Sequence, residues 1–298
     1  MTVDTKGNGA LKALVETDRP RMDDAQFQQW SALLEERTGM RLSDNLVLFL
    51  VSNLNRRMRE LGIRHFQDYY DQLQSGRNAK VEWDQLVDRL TVHETRFLRH
   101  PSSLDLVRRE CLPKTPRQGH IKPLTYNIWS VGCSTGEEPY SLAMCIDEHL
   151  TELGYDYYLG VIASDISRNA LASGRAGQYR YAQIKHLDPS WIEKYFRKDT
   201  DGKYQVISEI RQRVCFNHLN ILDMGKTPIG NMDVIVCQNV LIYYQRERRL
   251  QIVNSLVDRL APGGILIIGV GEMINWQHPD LERVPFANTL AFRRLRRG

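Results

Sequence analysis

The chain has 298 residues, 42% of them hydrophobic and 26% charged, with a formal net charge of only +4. That places it among ordinary soluble proteins with material for one large or two modest domains, and no run approaches the length of a membrane span. Five scattered cysteines (Cys111, Cys133, Cys145, Cys215 and Cys237) lack C-x-x-C or Cys/His ligand spacing, which argues against a disulfide frame or a metal site and for a reducing cytoplasm.

Residues 1–22 carry no apolar signal core and read as a flexible N-terminus. From residue 23 the pattern is helical. Apolar residues recur at three and four spacings in Phe27, Trp30, Leu33 and Leu34, in Val47, Leu50, Val51, Leu54, Met58 and Leu61, and in Trp83, Leu86, Val87 and Leu90, with Gly39 and Gly62 as helix ends. The second of these helices has more apolar surface than one buried face needs. Leu46 and Phe49 fall on another face with Asn53 and Arg56, near Arg59, a surface for packing or for docking a partner. Pro113, Pro116, Gly119 and Pro123 then read as a linker, which bounds a helical domain at 23–115 and a second domain at 116–298.

In the second domain strands and helices alternate. Strands are expected at 126–131, 158–163, 232–237 and 265–270, and helices at 137–153, 167–174 and 246–260, the last stopping at Pro262-Gly-Gly with Leu250, Val253, Leu256, Val257 and Leu260 inward. Buried strands joined by helical crossovers make an α/β, Rossmann-like domain with a mostly parallel sheet. An insertion at about 177–217 reads as a short helix, 187–196, and a strand pair over 203–213 after the turn Asp199-Thr-Asp-Gly202. The terminal cluster Arg293-Arg-Leu-Arg-Arg297 reads as a solvated tail, and no nucleic-acid partner is expected.

The most informative stretch is Trp129-Ser-Val-Gly-Cys-Ser-Thr-Gly-Glu-Glu-Pro-Tyr140, a glycine loop leading from a strand into a helix. Such a loop attracts phosphate through free N–H groups and the helix dipole. Here Glu137 and Glu138 would repel a pyrophosphate and welcome a cation, and the loop lacks the G-x-G-x-x-G spacing. A cationic nucleoside such as S-adenosylmethionine fits better than NAD or ATP. Other strand ends carry Asp165, Asn220 with Ile221, and Asn239. Asp165 stands where an acidic residue takes ribose hydroxyls, or serves as a helix cap. Asn220 and Asn239 are each turn residues if taken singly, and gain meaning from standing together.

Four separated motifs, Leu90-Thr-Val-His-Glu-Thr-Arg-Phe-Leu-Arg99, Ser134-Thr-Gly-Glu-Glu-Pro-Tyr-Ser141, Ala163-Ser-Asp-Ile166 and Cys237-Gln-Asn-Val-Leu-Ile-Tyr-Tyr244, resemble the chemotaxis-receptor glutamate methyltransferases, the CheR family. The resemblance implies a helical domain followed by a class I methyltransferase domain with an inserted β-subdomain, S-adenosylmethionine as donor and glutamates of cytoplasmic receptor helices as acceptors. It puts Thr95 and Arg99 near the methionine end of the cofactor, Glu138 supported by Glu137 against its cationic groups, Asp165 at the ribose, Asn220 and Ile221 at the adenine, and Asn239 and Val240 beside the sulfonium. Arg99 becomes a candidate for holding the cofactor or acceptor carboxylates, and so do Arg96 and Tyr243, whose alternatives are a surface charge and a core residue. His93 stands where relatives commonly have Asn, and Gln238 where many have Arg. Some members capture a receptor pentapeptide on a longer, glycine-rich turn of the insertion. This chain has only Gly202 there, so tether independence is expected, together with a monomer that does not insert into membranes. The competing readings are a methyltransferase with another acceptor and an S-adenosylmethionine-binding interaction module.

Overall fold

The computed structural model describes residues 22–41, 47–91, 93–119 and 122–296, and the chain divides into two compact units, 1–91 and 92–298. In the first unit the described helices are α1 (Asp24–Thr38), α2 (Val47–Leu61), α3 (Phe66–Ser75) and α4 (Ala79–Leu90). Helix α1 starts on a reciprocal capping box between Asp23 and Gln26 and ends at Gly39 in the left-handed region (φ 74°). Trp30, Leu33, Leu34, Leu50, Leu54, Met58, Tyr69 and Leu86 form its core. The Glu82 carboxylate is buried there, taking two parallel hydrogen bonds from Arg57 (2.8 and 2.6 Å) and one from the Tyr69 hydroxyl (2.6 Å). Burial raises its pKa, but those charge-assisted bonds outweigh it and hold the group below 4.5. Phe49 packs against this core instead of standing on a separate face, and the exposed apolar residue of α2 is Leu48, 82% exposed. Leu46 lies outside the described residues.

The second unit opens with α5 (Pro101–Cys111), which packs on its sheet and on the helix after the first strand. The boundary expected at 115 therefore falls inside this unit. The prolines and glycine at 113–123 make the loop that leads into β1, and such residues mark a loop as readily as a domain linker. The main sheet contains β1 (Leu124–Val131), β2 (Tyr157–Asp165), β6 (Val214–His218), β7 (Met232–Cys237), β8 (Leu260–Ile268), β9 (Leu281–Phe286) and β10 (Thr289–Arg294), in the order β6-β2-β1-β7-β8-β10-β9. β6, β2, β1, β7 and β8 are parallel, and β10 pairs antiparallel with both β8 and β9. Helices α6 (Glu137–Glu152), α7 (Arg168–Ala176) and α11 (Arg246–Val257) form crossovers. Tyr140, Ala143, Ile146 and Leu150 of α6 are buried as their spacing predicts.

The insertion holds β3 (Gln178–Tyr179), α8 (Tyr181–Ile184), α9 (Pro189–Tyr195), β4 (Phe196–Lys198), β5 (Tyr204–Val206) and α10 (Ser208–Arg211), with a small antiparallel sheet in the order β3-β5-β4. Its hairpin flanks the turn at 199–203 instead of following it, and residues 208–211 are helical. Asp199 closes that turn by accepting from the N–H groups of Asp201 and Lys203 at 3.0 and 2.8 Å, a local side-chain bond that fixes the hairpin. Two further expectations change. Pro262-Gly-Gly lies within β8 at a register shift against β7, and a Cβ at Gly264 would stand 2.6 Å from the Met232 carbonyl, so this glycine serves a strand irregularity and not a helix stop. Leu250 is 37% exposed, while Ile252 joins Val253, Leu256 and Val257 on the buried face of α11.

The order reverses beside β1. From there the chain runs outward through β2 to β6 and then crosses back to β7 on the other side of β1. The loops leaving the carboxyl ends of β1 and β7 diverge at this switch point, which is where such sheets bind ligands.

Candidate functional site

The loop after β1 is held by its neighbours on both sides. The N–H groups of Gly132 and Cys133 donate to the Ser164 carbonyl at 2.8 and 3.0 Å, and that of Ser134 donates to Asp165 Oδ2 at 2.8 Å. From the other side the loop after β7 presses in. Gly132 has φ +71°, and a Cβ there would lie 2.4 Å from Val240 Cγ2, so both conformation and close approach require glycine. Gly136, at φ +97°, then starts α6 with no side-chain cap, leaving Glu137 and Glu138 in the first turn.

A cavity of about 160 Å³ opens at these strand ends, roughly ten times what one water needs. Thr95, Arg99, Glu138, Asn239 and Tyr243 line it, with Arg96 and Gln238 also on its wall. Glu138 Oε1 accepts from the Ser130 hydroxyl at 2.7 Å. Burial pushes this carboxyl up to about 7, against the opposing pull of the Ser130 bond and the Arg99 charge, while the nearby Glu272 carboxylate pushes it further up. Arg99 donates to the Glu94 carbonyl. Burial likewise raises the Tyr243 hydroxyl, and the Arg99 charge opposes that shift. One guanidinium is thus felt by both the carboxylate and the phenol.

The remaining predicted residues stand off the cavity. Glu137 is buried and accepts from Thr135 Oγ1 at 2.6 Å and, more weakly, from Gln183 Nε2 at 3.4 Å. Adjacent helical residues point about 100° apart, so only one of the two glutamates can face the cavity. Asp165 receives Ser134 N–H on one oxygen and Ser167 N–H on the other at 2.9 Å, one hydrogen bond behind the cavity wall. Burial raises its pKa, and these N–H groups and the charge of exposed His93 oppose the rise. The cap of α7 is Ser167, accepting from Ala170 N–H at 3.0 Å, and not Asp165. Asn220 accepts from Leu222 N–H at 3.1 Å and starts a 3-10 turn with the buried Ile221. Val240 packs on Gly132.

Several contributors have no local sequence signal. His100 Nε2 lies 2.7 Å from Asn239 Oδ1, joining the segment before α5 to the β7 loop across 139 positions. Ser141 Oγ accepts from Leu98 N–H at 3.0 Å and donates to the Glu137 carbonyl at 2.6 Å. Six described residues other than glycine have positive φ, and four are asparagines. The other two, Leu98 (53°) and Ser134 (49°), both line the cavity, as does Asn239 (61°). Strain held by surrounding bonds is typical of functional sites.

Comparison with known proteins shows the family. Residues 93–290 match the S-adenosylmethionine-binding domain of the CheR methyltransferases, and residues 25–91 match their all-alpha domain. The chain belongs to the CheR methyltransferase family. It is 34% identical over 274 residues to the chemotaxis protein methyltransferase of Escherichia coli K12, covering 90% of this chain and 89% of that one. It is 33% identical over 254 residues to chemotaxis protein methyltransferase 1 of Pseudomonas aeruginosa, covering 84% and 91%. A CheR enzyme uses S-adenosylmethionine, and the residues present fit that cofactor. A carboxyl held up by burial gains when a cation arrives, and Gly132 stays exposed on the cavity wall.

Glu138 must ionise fully to meet a cation, so affinity for S-adenosylmethionine should rise with pH up to about 7 and level off above it. Below that point it should weaken by up to about tenfold per pH unit. Calorimetry across that range should show this dependence in wild type and its loss in Glu138→Gln; a flat wild-type profile would remove Glu138 from the cation site.

Proposed function

We propose that this CheR methyltransferase esterifies glutamate side chains on the cytoplasmic helices of methyl-accepting chemotaxis receptors, giving glutamate methyl esters and S-adenosylhomocysteine. The observation that carries the reading is the shared cavity of Arg99, Tyr243 and Glu138, which offers one wall to a cation and a guanidinium to a carboxylate. Bound S-adenosylmethionine supplies an electrophilic methyl group. The acceptor needs no base, because a glutamate is already ionised near pH 7. The protein's task is to align it, and good alignment can contribute about 7–11 kcal/mol relative to the reaction between free partners.

In this reading Glu138 holds the cationic groups, Thr95 and Asn239 orient the cofactor, and Asp165 acts at the ribose from behind Ser134. Arg99 grips a carboxylate with its planar fork, and Tyr243 can donate its hydroxyl to the same group. His93 and Gln238 replace residues common in the family, and neither change removes the Arg99–Glu138–Tyr243 set. Exclusion of water by the half-buried walls favours the meeting of carboxylate and sulfonium. Arg56 and Arg59 are exposed on α2, and we read them as receptor-docking charges. The tight Asp199 turn supports action without a receptor tether, and we read the enzyme as a monomer in the cytoplasm.

Methyl-labelled S-adenosylmethionine and a receptor cytoplasmic fragment should give base-labile label on glutamate, at equal rates with or without a C-terminal pentapeptide. Base-stable label or none would contradict the acceptor, and a tether-dependent rate would contradict tether independence. Arg99→Lys should lower transfer by about a hundredfold in a folded protein, because lysine lacks the bidentate fork; near wild-type turnover would rule out the clamp. Charge reversal at both Arg56 and Arg59 should raise KM for the fragment and leave cofactor affinity unchanged; unchanged KM would rule out docking there.

A further inference from the structure

A buried carboxylate outside the predicted set lies in a loop tied to the one after β7. Glu272, in the loop after β8, is 4% exposed. Its Oε2 accepts from the Gly269 N–H at 2.9 Å, and a Cβ at Gly269 would stand 2.3 Å from that oxygen, so the loop is built around the carboxylate. Arg249 of α11 secures the same place from the side. Its guanidinium donates to the Glu272 carbonyl at 3.1 Å and to the Tyr244 carbonyl at 2.7 Å, tying the loop after β8 to the loop after β7.

The β7 loop has little means of holding itself. Its 3-10 turn, Leu241–Tyr243, has no side-chain cap, and Asn239 just before it occupies the left-handed region. Burial raises the Glu272 carboxyl, while the N–H groups of Gly269, Ile242 and Asn239 favour its anion. Oε1 closes no hydrogen bond, so Ile242 and Asn239 act on the carboxylate through their N–H dipoles, while Arg249 supplies the direct bonds between the two loops. A carboxylate facing the N–H groups of an uncapped turn does from a distant strand what a helix cap does locally.

We propose that Glu272 is a positioning residue for the cofactor cavity, its carboxylate holding the Asn239–Tyr243 turn and, through it, the Asn239–His100 pair and Tyr243 in the geometry that meets S-adenosylmethionine. The inference rests on this cavity being the cofactor site, which titration of the wild type checks separately. Glu272→Gln keeps the shape and one acceptor for Gly269 but loses the anion.

Two readouts together test it. Glu272→Gln should raise the Kd for S-adenosylmethionine by about fivefold, the scale of one charge facing the N–H dipoles of an uncapped turn, and Glu272→Ala by more. Amide exchange in Glu272→Gln should speed up at Asn239, Leu241 and Ile242 but not in β7. Leu150→Ala, a core truncation at the far end of α6, should lower Tm without changing either readout. Wild-type Kd in Glu272→Gln, unchanged exchange at the turn, or a Kd change shared by Leu150→Ala would each overturn the proposal; saturable wild-type binding in the same series shows that the cofactor reading stands.

Discussion

The Glu138 carboxylate sits where β1 has ended and α6 has begun, and its neighbours deny it full solvation. Ser130 supplies a single hydrogen bond, Arg99 a charge that forms no direct ion pair with it, and Glu272 an opposing charge. Each leaves the anion short of what water would give it. A half-buried acid raised to about 7 gains more from a cationic guest than an exposed one would, since ionisation and binding then assist each other. In the proposed reading, the preference for a cationic cofactor follows from this placement at the switch point.

Keeping that placement requires loops that would not hold their shape alone. Gly132 is fixed between Ser164 and Val240, Ser134 by Asp165, Leu98 by Ser141 and Asn239 by His100. Three of these positions carry left-handed backbone in residues other than glycine. The strain persists because each is tied to a different element, so relaxing one would break a bond to another. Asp165 shows the economy of this design: its two oxygens join the β1 loop to the start of α7, which supports the wall even before any ribose is considered.

The sheet and the glycine loop were legible in the sequence because both are local patterns: apolar runs of strand length, and a glycine pair followed by two glutamates at a helix start. What was not legible depends on distance. Nothing near Asn239 announces His100, and nothing near Glu272 announces the turn it faces. The adjacent pair Glu137–Glu138 could not be divided without the helix phase that turns one inward and the other toward Thr135. The β9–β10 hairpin carries a weak strand signal because Pro285 and the charged Glu282, Arg283, Arg293 and Arg294 interrupt its apolar pattern, as befits the sheet edge. The proline-rich stretch at 113–123 misled in the other direction, since only packing shows that α5 belongs with the sheet.

The central claim is that Glu138 is a carboxyl held near neutrality until a cation meets it. Carbon-13 NMR of the glutamate carboxyls, with the Glu138 signal assigned by its loss in Glu138→Gln, measures this directly. The account predicts a midpoint near 7 in the free protein and a shift to lower pH when S-adenosylmethionine is bound. A midpoint near the ordinary glutamate value in the free protein, or one that the cofactor does not move, would contradict it.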